Sequence, residues 1–348
     1  MRQRITCRTI SGGILVTNRL RVLLVLTFLF LISAGAFAQT RPEQTASRAA
    51  KIKPRADNHQ HVFSPALVEF SKGSIPVIAA AEVIKLLDEA GIERAVLLSS
   101  GYSYGRPGRE PQDEYARVKA ENDWNGIQAA LYPKRLRAFC GFNPLKDYAL
   151  EEMVRCARNP NLRRGIKMHF GNSDVQLENP EHIEKLKKVF REANARRMAI
   201  VVHMRASISK NRPYGPEQAR AFLEQLLPLA TNIPVQVAHL SASGPGFEDP
   251  KAHTVLEVLA EAVEKRDPRT RNLWFDVTTI TAGANSAATS ALIVKRIRQI
   301  GVKRILYGTD AAVGGNPKPS DAWEMFCQLA LSDDELKRIA RNVAPYLR

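Results

Sequence analysis

The chain has 348 residues, 45% of them hydrophobic, with 51 Lys and Arg against 35 Asp and Glu and a formal charge of +16. That is enough chain for one large domain with a sizeable core. The basic residues are scattered rather than gathered with aromatics on one surface, which excludes a nucleic-acid module and leaves an acidic small molecule as a compatible substrate.

In chain order, the first forty residues stand apart. Arg2, Arg4, Arg8, Arg19 and Arg21 precede the apolar run "VLLVLTFLFLISAGAFA", which ends in Ala36-Phe37-Ala38. A basic start, an apolar stretch and a small-x-small site predict a secretory signal peptide over 1–38, with a retained membrane anchor as the alternative. The expected location is therefore periplasmic or extracellular. Without that segment, 46 basic residues stand against 35 acidic ones. Residues 39–55 are polar, contain two prolines and lack an apolar period, so they read as a linker before a domain over 56–348. Cys7 falls in the leader, and the odd trio Cys140, Cys156 and Cys327 has no CxxC spacing. This is neither a disulfide framework nor a thiolate metal site. Buried free thiols are expected, with one bridge left open.

From Ala56 a pattern repeats. The apolar runs "ADNHQHVF", "RAVLLSS", "LRAFCGF", "RRGIKMHF", "MAIVVHM", "PVQVAHL", "NLWFDVT" and "KRILYGTD" alternate with helical stretches such as "PEHIEKLKKVFREANAR". In that stretch Ile183, Leu186, Val189 and Phe190 share one face, opposite Lys and Arg. Pro180 and Pro216 sit where helices start, and Gly91 and Gly301 where they end. Eight strand–helix units predict parallel strands closed into a (β/α)8 TIM barrel. An open doubly wound sheet would want a glycine-rich first turn, and this first turn holds histidines instead.

Five of the seven histidines fall at strand ends. His59 and His61 share one face of strand 1 at a spacing of two. Lys167 and His169 end strand 4, His203 ends strand 5, His239 ends strand 6 and Asp310 ends strand 8. Only His182 and His253 lie elsewhere, in helical segments. The C-terminal ends of barrel strands converge on one mouth, where imidazoles and a carboxylate suit zinc and related divalent ions.

The segments "DNHQHVF", "IVVHM", "VAHLSASG" and "ILYGTDA" resemble the amidohydrolase superfamily, and most of all its amidohydrolase-related TIM-barrel branch, which includes the aminocarboxymuconate-semialdehyde-decarboxylase-like enzymes. "YPKRLRAFCGFNP" matches a further feature of that branch. The resemblance runs from about Ala56 to the C-terminus. It implies that His59, His61, His203 and Asp310 hold one divalent ion, with zinc the first expectation, and that His239 acts beside it. Asp310 would also take a proton from the attacking water. Asp57 is the nearby candidate for orienting a histidine, although its alternation with His59 also permits a purely structural role. Lys167 could, once carboxylated, bridge a second ion as in binuclear members. "KMH" instead fits the branch's substrate-facing pair, Lys167 and His169, and one ion is the expectation.

On the loops, Tyr102, Tyr104, Arg106 and Arg109 in "SSGYSYGRPGRE" are candidates to grip a carboxylate or stack on a ring, and Arg205 would point with His203. The leading functional expectation is metal-dependent hydrolysis of a small amide, lactone or ester. The alternative is non-oxidative decarboxylation of an aromatic or unsaturated acid. An exported, non-catalytic binding protein on the same scaffold is a third reading. Homodimerisation is the expected assembly.

Overall fold

The computed structural model describes residues 48–283 and 285–348. Strands β1 (Ala56–Gln60), β2 (Arg94–Leu98), β3 (Leu136–Gly141), β4 (Gly165–His169), β5 (Ala199–His203), β6 (Val235–Val237), β7 (Leu273–Asp276) and β8 (Ile305–Leu306) neighbour one another in sequence order. Each adjacent pair is parallel. Closure comes from two backbone bonds: Asn58 N–H donates to Tyr307 O at 2.9 Å, and Asp310 N–H to His59 O at 2.8 Å. This is the (β/α)8 barrel that the alternation predicts.

Helices α1 (Pro65–Phe70), α2 (Ala80–Ala90), α3 (Glu114–Ala130), α4 (Ala149–Arg158), α5 (Phe170–Ser173), α6 (Pro180–Ala195), α7 (Pro216–Ala221), α8 (Pro250–Glu264), α9 (Ala287–Ile300), α10 (Pro319–Cys327) and α11 (Asp333–Arg341) surround the strands. In α6, Ile183, Leu186, Val189 and Phe190 are buried as their spacing requires. Gly91 ends α2 at φ 70°, the left-handed conformation that glycine adopts without a Cβ penalty. The helix expected through "PEQARAFLEQLLPLA" is regular only to Ala221. It continues as a π turn over Phe222–Leu226 and a 3-10 turn over Leu227–Leu229, where Pro228 has no N–H to extend it.

One irregularity sets the site. From Asp57 to Gln60 β1 advances three residues while β2 advances two, from Ala95 to Leu97. The extra residue is a bulge, which re-aims side chains across a strand. Ala56 can therefore pack in the barrel interior while His59, an odd number of residues later, also faces inward.

The core has two layers. A large cluster joins the outer faces of the strands to the helices. A smaller one fills the barrel, where Val96, Leu98, Phe139 and Val201 meet Val343, Ala344 and Tyr346 of the C-terminal segment. That segment plugs the end of the barrel opposite the histidines, and Ala344 N–H is fixed by Asn58 Oδ1 at 3.1 Å.

Residues 48–55, read as the end of a linker, are packed against the domain. Ile52 is buried, its carbonyl accepts from the Trp323 indole, and Arg55 N–H donates to Ala340 O at 2.8 Å. The predicted signal peptide and residues 39–47 lie outside the described residues. Cys140 on β3 and Cys156 on α4 form a disulfide, the one bridge that the sequence left open in place of free thiols at these two positions, while Cys327 is a buried free thiol as expected. The intervening turn brings the pair to a Cα separation of 6.3 Å, within bridging range. Among the described residues no helix is long and apolar enough to cross a membrane.

Candidate metal centre and its cavity

The strand ends deliver the histidines to one cavity of about 290 Å³ at the C-terminal mouth. His59, His61, Lys167, His203, His239 and Asp310 all line it. His169 and His203 are register partners on β4 and β5, so their rings stack at 3.8 Å between centroids. His239 lies two residues past β6 and Asp310 four past β8. Both turn into the mouth on left-handed backbone, at φ 53° and 54°. Leu240, Ser241 and Thr279 share that conformation. Such non-glycine outliers each cost about 1–3 kcal/mol and cluster where function requires them.

Within the cavity, His59, His239 and Asp310 offer ligand atoms that all lie within 4.8 Å of one another. His61 Nε2 stands 3.4 Å from Asp310 Oδ1. The sequence expectation kept His239 apart from the ion and placed His203 on it; the geometry brings both rings together, their centroids 5.1 Å apart. Around these groups lies an orienting layer. His59 Nδ1 meets Asp276 Oδ2 at 3.1 Å, and His59 Nε2 meets Lys167 Nζ at 3.1 Å. His239 Nδ1 faces Thr278 O at 3.0 Å, and His61 Nδ1 faces Ser100 Oγ at 3.2 Å. Asp276 is itself held by Gln236 Nε2 at 2.7 Å and by the backbone N–H groups of His239 and Thr278 at 2.8 and 3.2 Å.

Electrostatics prepare the donors. Burial, then Lys167, pushes His59 down to about 3. Burial also lowers His61, His169, His203 and His239. These imidazoles are neutral at neutral pH, the form that ligates metals. Burial opposes ionisation of Asp276, but His59 and His239 outweigh it and hold the carboxyl below its ordinary range. Burial raises Asp310 against the pull of Lys167, and lowers Lys167 against the pull of Asp310 and Asp276. Asp310 Oδ1 is buried without a hydrogen bond. A buried, orphaned carboxylate oxygen beside neutral imidazoles fits a divalent cation, since an unsatisfied charge there is otherwise costly.

The remaining predicted residues divide. Tyr102 and His169 line the cavity, with ring centroids 5.2 Å apart. Tyr104 does not; it packs on Phe70 at 4.7 Å. Arg106 is half-buried and Arg109 exposed, and neither lines the cavity. Arg205 is turned away by a 2.6 Å ion pair to Asp249 and lies over the Tyr214 ring. Asp57 does not touch the His59 ring. Its carboxylate accepts from the N–H groups of His59 and Thr309, the Gln60 amide and the Thr309 hydroxyl, tying β1 to the exit of β8. The carboxylate that orients His59 is Asp276, the last residue of β7, which the sequence reading passed over. Phe63, Ser100, Asn172 and Ser243 also reach the cavity unforeseen. His182 and His253 remain in helices, as expected.

Fold and site together define a metal-dependent (β/α)8-barrel enzyme. The amidohydrolase family model matches residues 56–344, and the chain belongs to that family. Among solved structures, 2,6-dihydroxybenzoate decarboxylase from Rhizobium is similar at 15% identity and TM-score 0.58, over 83% of this chain and 97% of that one. A dihydroxybenzoic acid decarboxylase from Polaromonas sp. JS666, with bound manganese and the inhibitor 2-nitroresorcinol, is similar at 15% identity and TM-score 0.56, over 83% and 95%. An amidohydrolase from Burkholderia multivorans with bound zinc is similar at 12% identity and TM-score 0.55, over 82% and 95%. No curated protein matches the sequence.

Proposed function

We propose that the enzyme is a metal-dependent, non-oxidative decarboxylase of a small aromatic carboxylic acid, in place of the hydrolase expected from sequence. The cavity carries this reading. It is large enough to admit a substituted benzoate and sets Lys167 together with the aromatic rings of Phe63 and Tyr102 around the candidate metal ligands. Two of the similar structures are decarboxylases of dihydroxylated benzoic acids, which supports the same class.

In this reading His59, His61, His203 and Asp310 hold one divalent ion, and His239 stands at its edge. The bound ion would polarise the oxygens of the acid. Lys167 Nζ supplies positive charge to the substrate carboxylate in a buried setting where such a contact is strong. Loss of carbon dioxide leaves an electron pair on the ring carbon, and that carbon takes up a proton. Lys167, which lines the cavity, is placed to hold and deliver it. Zinc suits the imidazole-rich shell, and manganese is the ion in the Polaromonas enzyme.

The test is reconstitution with Zn²⁺ and with Mn²⁺ separately, followed by assay on hydroxylated benzoic acids and on lactone, amide and ester panels. Carbon dioxide release with formation of the corresponding phenol supports decarboxylation. Turnover confined to the lactone, amide or ester panel overturns it and returns hydrolysis. Export, with cleavage near Ala38, is proposed alongside and is tested by N-terminal sequencing of the secreted product.

A further inference from the structure

A second concavity, of about 390 Å³, opens at the opposite end of the barrel, beneath the C-terminal plug. Five arginines line it: Arg55, Arg94, Arg338, Arg341 and Arg348. Arg55 precedes β1, Arg94 opens β2, Arg338 and Arg341 stand on the last turn of α11, and Arg348 follows the plug. Among the described residues their ion pairs go to one carboxylate, Glu93, which takes Arg55 at 3.0 Å and Arg94 at 3.5 Å. Arg94 Nη1 donates to Leu347 O at 3.1 Å, but its Nε–H is buried without a partner. Arg348 Nε donates to Val343 O at 3.2 Å, which uses none of its charge. The excess extends sideways: Arg137 is lowered by burial, then by Arg164 and Arg94.

A solvated basic face needs neither concavity nor an orphaned guanidinium N–H. Here donors converge from two strand entries, one helix end and the chain terminus on a single space. A planar carboxylate would satisfy one guanidinium fork, whereas a tetrahedral, multiply charged oxyanion can engage several at once. We propose that this basal cleft binds a phosphoryl oxyanion, gripped by Arg338 and Arg341 opposite Arg55 and Arg94. It shares no residue with the metal cavity, so it stands or falls separately from the proposed reaction.

The metal-loaded enzyme is titrated with inorganic phosphate at low ionic strength, followed by ³¹P NMR. In parallel it is sedimented with vesicles of phosphatidylcholine alone or with phosphatidylglycerol. The variant carries R338Q and R341Q, whose side chains are exposed; its metal content and unfolding temperature are expected to match wild type. Binding of phosphate that weakens about tenfold or more in the variant, as expected on losing two charge-assisted contacts, supports a free-anion site. Retention on phosphatidylglycerol vesicles alone, lost in the variant, supports the same chemistry presented as a lipid headgroup. Absence of binding to both probes, or binding that the double substitution leaves unchanged, overturns the proposal.

Discussion

The His59 ring is held by its neighbours on both nitrogens. Its Nδ1 faces Asp276 at 3.1 Å, fixing the tautomer that presents Nε2 to the cavity. Asp276→Asn is expected to lower metal affinity about 10- to 100-fold, read by competition with a chromogenic chelator. Gly308 matters through absence: an added Cβ there would stand 2.8 Å from His59 Cβ, closer than real contacts allow. Gly308→Ala should therefore shift His59 and reduce metal occupancy, measured by elemental analysis, while Gly314→Ala, whose Cβ would meet only Pro76 Cδ at an ordinary 3.9 Å, should not. The roles proposed for His203 and His239 can be told apart: His203→Asn should lose the ion, whereas His239→Asn should retain it and lose turnover. The reverse outcome would place His239 on the metal, where its ligand atom lies within reach. The His-x-His pair was legible because strand spacing puts both on one face. Asp276 was not, because an acid before a turn reads equally well as a helix cap.

Helix α3 shows where periodicity misleads at the scale of an element. Its position was legible, but the buried side is polar: Glu121, Asn122, Asn125 and Gln128 are buried, whereas Ile127 and Leu131 are 57% and 61% exposed. The polar groups satisfy buried backbone. Asn125 Nδ2 donates to Leu97 O and Phe139 O at 2.9 and 2.8 Å, and Gly141 N–H donates to Asn122 Oδ1 at 2.8 Å. Asn125→Ala removes a hydrogen bond from each of these carbonyls, although Phe139 O keeps the Ser99 N–H at 3.2 Å, and should cost about 1–2 kcal/mol, read by urea denaturation. Glu121 accepts from Ser64, and burial raises its carboxyl to about 7. A raised carboxyl contributes its stability below the ordinary glutamate range and loses it as pH rises through 7, where the unfolded chain ionises freely. The Glu121 contribution should accordingly fall between about pH 4.5 and 7, read as a difference in unfolding temperature between wild type and Glu121→Gln that shrinks across that range.

At the scale of the molecule, the barrel is closed by its own tail. Tyr346 meets Phe139 edge-on at 4.7 Å, and its hydroxyl reaches Gln236 Oε1, which in turn places the Gln236 amide on Asp276. Plug and metal site are thus joined through one buried chain of polar contacts. Tyr346→Ala should destabilise the whole domain by about 3–5 kcal/mol in a single cooperative transition, measured by calorimetry.

The sequence by itself determined the eight strand–helix units, the barrel, and the gathering of five histidines with Lys167 and Asp310 at one mouth. These rest on local periodicity and on the rule that parallel strands end together. Only the tertiary structure decided which loop residues reach the cavity. Arg205 and Tyr104 are drawn away from it by partners in Asp249 and Phe70. The bulge in β1, the plug and the arginine cleft arise from contacts between residues far apart in the chain, which local spacing does not encode.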